Sequence, residues 1–263
     1  MSDEAVLYEV SEGIATLTLN RPERLNAWNG AIGHLYWTHL DAAAADPEVK
    51  VIIVTGAGRG FCAGADMDVL QGIGAKGAIE DRGPRRDEHQ TYTLSIPKPV
   101  IAVINGSCAG LGLVQAVMAD VRFAAAGAKF TTAFSRRGLI AEHGVGWVMP
   151  KLVGPSRALD LLMSARVFLA EEALEMGLVN RVFPADQLMA EARAYAKDLA
   201  QNVSPTSMAV IKQQVWQGVA QDMATSNAHS DQVMRESLKR NDFKEGVSSF
   251  LEKRPPAFAP LQG

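Results

Sequence analysis

The hydrophobic pattern changes period along the chain. Residues 6–19, VLYEVSEGIATLTL, alternate between apolar and polar side chains around Glu12-Gly13, which predicts an opening β-hairpin. The later runs KVIIVTG and PVIAVING are short, β-branched and end in turn residues, as buried parallel strands do. Each leads through a Gly/Ala loop into a predicted helix, at 66–71 and 110–118.

Helical patterns frame these strands on both sides. A helix is expected over Trp28–Ala45, and the chain is mostly helical after residue 145, with a break at Ser204-Pro205. Repeated strand, loop and helix predict an α/β fold of stacked units rather than a sandwich. We expect a core over residues 1–200 and a C-terminal helical region over residues 201–263.

Composition excludes several partners. Acidic and basic residues are mixed and the net charge of the 263-residue chain is -3, which gives no broad field for nucleic acid or an anionic membrane. Cys62 and Cys108 fit no metal-ligand or disulfide pattern. The start MSDEAVLYEV is acidic, and no run of about 18 uncharged apolar residues occurs. The sequence therefore predicts a cytoplasmic protein that binds a small molecule and no metal.

Residues 71–90, QGIGAKGAIEDRGPRRDEHQ, are rich in glycine and charge. This composition is typical of a mobile loop. The segment is either a lid over a substrate or a solvated connector.

Two glycine-rich loops are candidates for chemistry. GRGFCAGAD (58–66) and INGSCAGLGL (104–113) each join a buried strand to a helix. Small residues let backbone approach a ligand, and the N–H groups at a helix start are available as donors. Two such loops on adjacent parallel strands can direct two N–H groups at one oxygen, as in an oxyanion hole. Tight packing of helix against strand is the alternative.

The motifs NRPERLNAW, VIIVTGAGRGFCAGAD, PVIAVINGSCAGLGL, ARVFLAEEALEMGLVNRVFP and EGVSSFLEKRPPAF together resemble the crotonase, or enoyl-CoA hydratase/isomerase, superfamily. The resemblance covers nearly the whole chain in order and spacing. It implies a spiral of ββα units with a C-terminal helical trimerisation region. It also implies homotrimers or dimers of trimers, and an acyl-CoA thioester as substrate with no further cofactor.

The resemblance also assigns roles to residues. The oxyanion donors are the N–H groups of Ala65 and Leu111. Hydratases of the superfamily carry two glutamates, and the matching positions here are Val114 and Phe134, which would line an apolar acyl pocket. Glu142 matches the catalytic glutamate of the peroxisomal type of Δ3,Δ2-enoyl-CoA isomerase.

One carboxylate is sufficient for an isomerase, because the same group can remove a proton at Cα and return it at Cγ. The alternative for Glu142 is an acid placed to cap the following helix. Its neighbour His143 is more typical of a surface or hydrogen-bonded residue than of a second base.

For the CoA moiety the resemblance indicates residues in three segments. Arg24 would lie near the phosphates, with Leu25 and Ala27 along the pantetheine. The backbone around Ala63 and Asp66 would meet the adenine. Phe250 and Lys253 would approach the nucleotide, in some members from a neighbouring subunit.

These residues predict isomerisation of an enoyl-CoA through a thioester dienolate. A hydratase of the fatty-acid β-oxidation type that uses Glu142 with water or His143 is the nearest alternative. Two others stay open: a catalytically silent acyl-CoA-binding protein, and a thioesterase or dehalogenase with a carboxylate nucleophile.

Overall fold

The larger of two sheets forms the centre of the molecule. The computed structural model describes residues 4–76 and 89–261. Within that part, six strands pair in the order β1-β2-β3-β5-β7-β10, antiparallel between β1 and β2 and parallel elsewhere. They are β1 Val6–Ser11, β2 Ile14–Leu19, β3 Val51–Gly56, β5 Val100–Ile104, β7 Val121–Ala125 and β10 Arg181–Phe183.

A smaller sheet has the order β4-β6-β8-β9. Its strands are β4 Gly60–Cys62, β6 Ser107–Ala109, β8 Lys129–Thr131 and β9 Phe168–Leu169. Strands β3, β5 and β7 of the large sheet are each followed directly by one strand of the small sheet, and α2 or α3 follows the first two pairs. The expected spiral of ββα units and the opening hairpin are both confirmed.

The helices agree with the sequence pattern apart from their ends. They are α1 Gly30–Ala45, α2 Met67–Lys76, α3 Leu111–Met118, α4 Val145–Val153, α5 Pro155–Ser164, α6 Ala170–Glu175, α7 Leu188–Asn202, α8 Pro205–Gly218, α9 Met223–Ser237 and α10 Asn241–Glu252. Short 3-10 helices cover Pro22–Arg24, Gln90–Ser95 and Ser135–Arg137. None of the helices in the described ranges is long and apolar enough to cross a membrane.

Two predicted helix boundaries are wrong. The first helix starts after Trp28, because the Asn29 side chain accepts a hydrogen bond from the Ile32 amide and caps the helix there. The second helix runs on to Lys76 despite two glycines in its sequence. The rest of the predicted lid, residues 77–88, lies outside the described residues.

The C-terminal helices are attached to the core unequally. Helix α8 is anchored by Lys212, whose ammonium lies 2.7 Å from the carboxylate of Asp120 in the turn before β7. Helix α9, in contrast, has no buried residue. The predicted division near residue 200 falls close to the break between α7 and α8, and it stays a prediction.

Candidate active site

The two glycine loops are in contact. Gly64 follows β4, and Gly110 follows β6 in the same parallel sheet. A Cβ added to Gly64 would lie 3.0 Å from the carbonyl oxygen of Ala109 and 3.7 Å from Cα of Gly110. Both glycines have positive φ, +101° and +49°, a conformation that strains other residues. The sequence therefore brings two backbone turns within van der Waals distance at one point.

Each turn presents an unpaired amide beside that contact. Trp28 binds the first loop on both sides of Ala65, since its N–H donates to Gly64 at 2.7 Å and its carbonyl accepts from Asp66 at 2.8 Å. The intervening Ala65 amide has no hydrogen bond to the described residues. Leu111 is the first residue of α3, where an N–H has no partner within the helix. Both residues are half-buried, so a ligand can reach the two donors.

Close packing fixes the start of α3. A Cβ on Gly112 would lie 2.2 Å from the carbonyl oxygen of Cys62, so this position admits only glycine without a shift of the helix. Cys62 and Cys108 are neighbours on β4 and β6, and both are buried. Burial raises the pKa of the Cys62 thiol to about 12. The two cysteines therefore serve packing. The glycine loops can pack helix against strand and also form an oxyanion hole, because the two interpretations are compatible with each other.

Val114 and Phe134 are buried, as an apolar pocket requires. Val114 lies one turn along α3 from Leu111. Phe134 follows Ala133, whose φ of +62° is strained for a residue with a side chain. Neither side chain can exchange a proton.

Glu142 lies in a loop of unusual backbone. His143 and Gly144 both have positive φ, +56° and +78°. A Cβ on Gly144 would meet the side chain of Thr91 at 2.7 Å and that of Met118 at 3.7 Å. The loop is thus packed against the far end of α3.

The carboxylate of Glu142 does not cap a helix. Gly144 is the N-cap of α4 and no side chain caps it. Only the backbone carbonyl of Glu142 takes part, accepting from the Val145 amide at 3.1 Å. The Glu142 side chain keeps 34% of its surface exposed. The capping interpretation is therefore wrong, and the carboxylate is available for another role.

His143 is a titratable neighbour of that carboxylate. Its Nε2 lies 3.8 Å from a Glu142 oxygen. Burial lowers the pKa of His143, the Glu142 charge opposes this, and His89 lowers it further. A neutral imidazole can donate or accept one hydrogen bond from each nitrogen position.

The first CoA segment forms a compact turn. Leu25 is left-handed, with φ +49°, and its carbonyl accepts from the Ala63 amide at 3.0 Å. The Arg24 side chain is 56% exposed, with its guanidinium 3.6 Å from the Asp68 carboxylate. The structure thus brings Leu25 and Ala63 together and leaves Arg24 accessible to an anion.

Sequence reasoning missed the residue that links these segments, Arg21. Its guanidinium donates to the Ala27 carbonyl and to the Asp66 carboxylate, each at 2.8 Å. This hydrogen bond is the main reason why the pKa of Asp66 lies below its usual range. The Asp66 side chain is therefore occupied. Its backbone is paired as well, because its N–H donates to Trp28 and its carbonyl accepts from Val69 and Leu70, so the adenine contact stays a prediction.

Asn26 was missed as well. It is 0% exposed, and its amide donates to the carbonyls of Ala57 and Gly60 at 3.0 and 2.8 Å. Its side-chain oxygen accepts from the Arg21 amide at 2.8 Å. Asn26 therefore holds the Arg24 turn against the loop that leads to Ala65.

Phe250 and Lys253 lie away from this site within one chain. Pro255 and Pro256, just beyond them, line a hollow with Gly13, which precedes β2 at the amino end of the parallel strands. The glycine loops follow the carboxyl ends, roughly 20 Å away for six-residue strands. The contact of Phe250 and Lys253 with CoA stays a prediction.

The chain forms a spiral of strand pairs, and the amides of Ala65 and Leu111, which have no hydrogen bond to the described residues, lie at neighbouring loops of this spiral. This fold and this site are those of a crotonase-type enzyme, a class that acts on acyl-CoA thioesters. Comparison with known proteins narrows this class. The family model for enoyl-CoA hydratase/isomerase matches residues 9–260, and the chain belongs to this family. The resemblance seen in the sequence is confirmed.

Relatives carry both activities in their names. A probable enoyl-CoA hydratase of Rhodobacter capsulatus is 38% identical over 98% of this chain and 99% of its own. A 1,2-epoxyphenylacetyl-CoA isomerase of Escherichia coli is 35% identical over 97% and 98%. The crystal structure of a probable enoyl-CoA hydratase/isomerase from Mycobacterium abscessus superposes with a TM-score of 0.86 at 30% identity, covering 97% and 99% of the two chains.

Proposed function

We propose that this acyl-CoA enzyme shifts the double bond of an enoyl-CoA, with Glu142 as its acid/base and the N–H groups of Ala65 and Leu111 as oxyanion donors. The supporting observation is the contact of Gly64 with Gly110, because Ala65 and Leu111 directly follow these glycines and their amides have no hydrogen bond to the described residues. Two further features favour isomerisation. The Glu142 carboxylate does not cap a helix, and the two positions where hydratases carry glutamates hold the apolar residues Val114 and Phe134.

The reaction needs one carboxylate and one anion site. Glu142 takes a proton from Cα of a 3-enoyl thioester, and the electron pair spreads onto the thioester oxygen and Cγ. The two amides stabilise this dienolate, and loss of one such donor typically costs about 10²–10³ in rate. Protonated Glu142 then delivers the proton to Cγ, which gives the 2-enoyl thioester. We infer that no redox cofactor takes part, because no step changes an oxidation state, and that no metal is required, because the two amides supply the stabilisation of the oxyanion.

Paired substrates test the proposal. Purified protein is incubated with a 3-enoyl-CoA and, separately, with crotonyl-CoA in D2O. We expect conversion to the 2-enoyl product and little hydration, with deuterium at Cγ only to the extent that the proton on Glu142 exchanges with solvent before its transfer. E142Q should lower kcat by about 10²–10⁴ while a saturated acyl-CoA binds as before. E9Q, at an exposed position of β1, is the matched control. Rapid hydration of crotonyl-CoA without a double-bond shift contradicts the proposal.

Hydration is the second candidate, favoured by the 3.8 Å separation between Glu142 and His143. In that case Glu142 and His143 would both bind one water molecule, and one of the two side chains would take a proton from it. H143Q separates the two activities, because it should abolish hydration and leave isomerisation within about threefold. A cytoplasmic location and assembly into trimers or dimers of trimers remain part of the proposal.

A further inference from the structure

Gln115 is a buried polar residue without a hydrogen bond. It is 3% exposed, and neither its Nε2 nor its Oε1 has a partner among the described residues. Leaving a buried amide unpaired is destabilising, and folded proteins satisfy the large majority of such groups. The Gln115 amide therefore requires a partner that the described chain does not supply.

The position of Gln115 on α3 indicates where that partner lies. Leu111, whose N–H is a proposed oxyanion donor, precedes it by four residues. Side chains four apart share one face of a helix and lean towards its N-terminus. The Gln115 amide is thus directed along the face of α3 that starts at the contact of the glycine loops.

The same face leads to the Glu142 loop. Met118, three residues beyond Gln115, approaches Gly144 at the other end of α3. Gly112, three residues before Gln115 on this face, packs directly on Cys62 and closes one edge of the face. Gln115 therefore lies between the oxyanion amides and the loop of the proposed base.

A second unpaired group belongs to a neighbouring element. The 3-10 helix Gln90–Ser95 contacts α3, and the buried side-chain oxygen of Gln90, at its start, also has no hydrogen bond to the residues that the structure describes. A purely hydrocarbon ligand beside α3 would leave the Gln115 amide unpaired. A polar atom on the ligand would satisfy it.

We propose that Gln115 determines substrate specificity by binding a hydroxyl group on the acyl chain, beyond the carbons that exchange protons. This inference rests on the proposed function and names the class of its substrate. A hydroxyl donates one hydrogen bond and accepts others, which matches the oxygen and the NH₂ of one glutamine amide. A site built to bind a hydroxyl discriminates against analogues that lack it, because its polar groups are then left unpaired.

Binding measurements without turnover test this inference. Saturated acyl-CoA ligands have no double bond to move, so a chain with a hydroxyl at C4, C5 or C6 is compared with the same chain without it, by calorimetry. We expect the protein to prefer one hydroxylated ligand by about 10- to 100-fold. Q115L should remove that preference, keep the affinity for the plain chain within twofold, and raise Tm because an unpaired amide is lost. V117A, on the opposite face of α3, controls for packing damage and should keep the preference.

Two outcomes overturn the inference. Equal affinities for plain and hydroxylated chains in the unmodified protein show that a buried water satisfies Gln115. An equal loss of both ligands in Q115L shows a structural role. Selective binding of a hydroxylated chain by a protein that does not isomerise any 3-enoyl-CoA leaves the inference standing and ends the proposed function.

Discussion

At the scale of single residues, His143 has both a positive φ, which strains its backbone, and a titratable side chain. Its pKa lies below the unfolded value of about 6.5, chiefly because of burial. At a pH between the pKa of His143 in the folded protein and its pKa in the unfolded chain, the unfolded chain binds more protons than the folded protein. The contribution of His143 to stability is therefore present above about pH 6.5 and is lost as the pH falls below it. Since 38% of the side chain is exposed, solvent screening keeps the effect small.

H143Q removes this titration. We expect the Tm of the unmodified protein minus that of H143Q to decrease from pH 8 to pH 5 in thermal melts. A Tm difference for H143Q that is constant across this pH range contradicts the prediction.

Residue-level sequence reasoning reaches the chemistry that local motifs carry. Ala65 and Leu111 were assigned through the motifs AGAD and AGLGL of the family, and their role as oxyanion donors stays a prediction. Arg21 and Asn26 were missed, because their partners lie tens of residues away and become neighbours only when β3 and β4 are in place. An Asn beside the Arg of a turn carries no signal of that contact in the sequence.

At the level of elements, the approach of α3 to β4 controls the oxyanion site. G112A should be destabilising although alanine favours a helix by about 1 kcal/mol over glycine. The added Cβ would overlap the Cys62 carbonyl, and overpacking of this kind costs about 1–3 kcal/mol. Thermal melts should show a lower Tm, and kcat should fall because the Leu111 amide moves.

G30A is the matched control for this prediction. A Cβ on Gly30, the first residue of α1, meets nothing within 4 Å. Its Tm should be unchanged or higher, with kcat unaffected. If G112A keeps both the stability and the rate of the unmodified protein, the close contact does not position the donor.

The ion pair that anchors α8 is a second element-level feature. The Lys212 ammonium is largely buried, and it also donates to the carbonyls of Thr93 and Lys98 at 3.1 and 3.3 Å. K212M leaves Asp120 buried without its counter-ion. Removing one partner of a buried pair typically costs about 3–5 kcal/mol, measurable by urea unfolding.

The exposed pair between Lys197 and Glu12 provides the comparison. Its N–O distance of 2.5 Å is shorter than that at Lys212, yet exposed pairs contribute only about 0–1 kcal/mol. K197M should therefore change the free energy of unfolding by less than K212M. Equal effects show that burial does not decide the strength of the α8 anchor.

On the scale of the whole molecule, strand periodicity predicted stacked α/β units, because the buried strands are marked by β-branched runs and turns, and the resemblance to the family added the spiral of ββα units. The periodicity could not predict which helices lack a core to pack on. Helices α9 and α10 expose large apolar side chains, with Phe250 at 82%, and apolar surface of this kind is typical of a face that another protein covers. A second chain would also bring Lys253 to a glycine-loop site that its own chain places at the opposite end of the sheet.

Mixed assemblies test this arrangement directly. E142Q and K253A chains are each expected to have low activity with a 3-enoyl-CoA, for loss of the base and of a CoA contact. If Lys253 serves the neighbouring site of a cyclic trimer, random mixing places an intact Glu142 beside an intact Lys253 in about one quarter of the sites. Unfolding and refolding the variants together should therefore restore about one quarter of the activity, measured at limiting acyl-CoA. If Lys253 acts within its own chain, no mixed site is complete and the activity stays at the level of the separate variants.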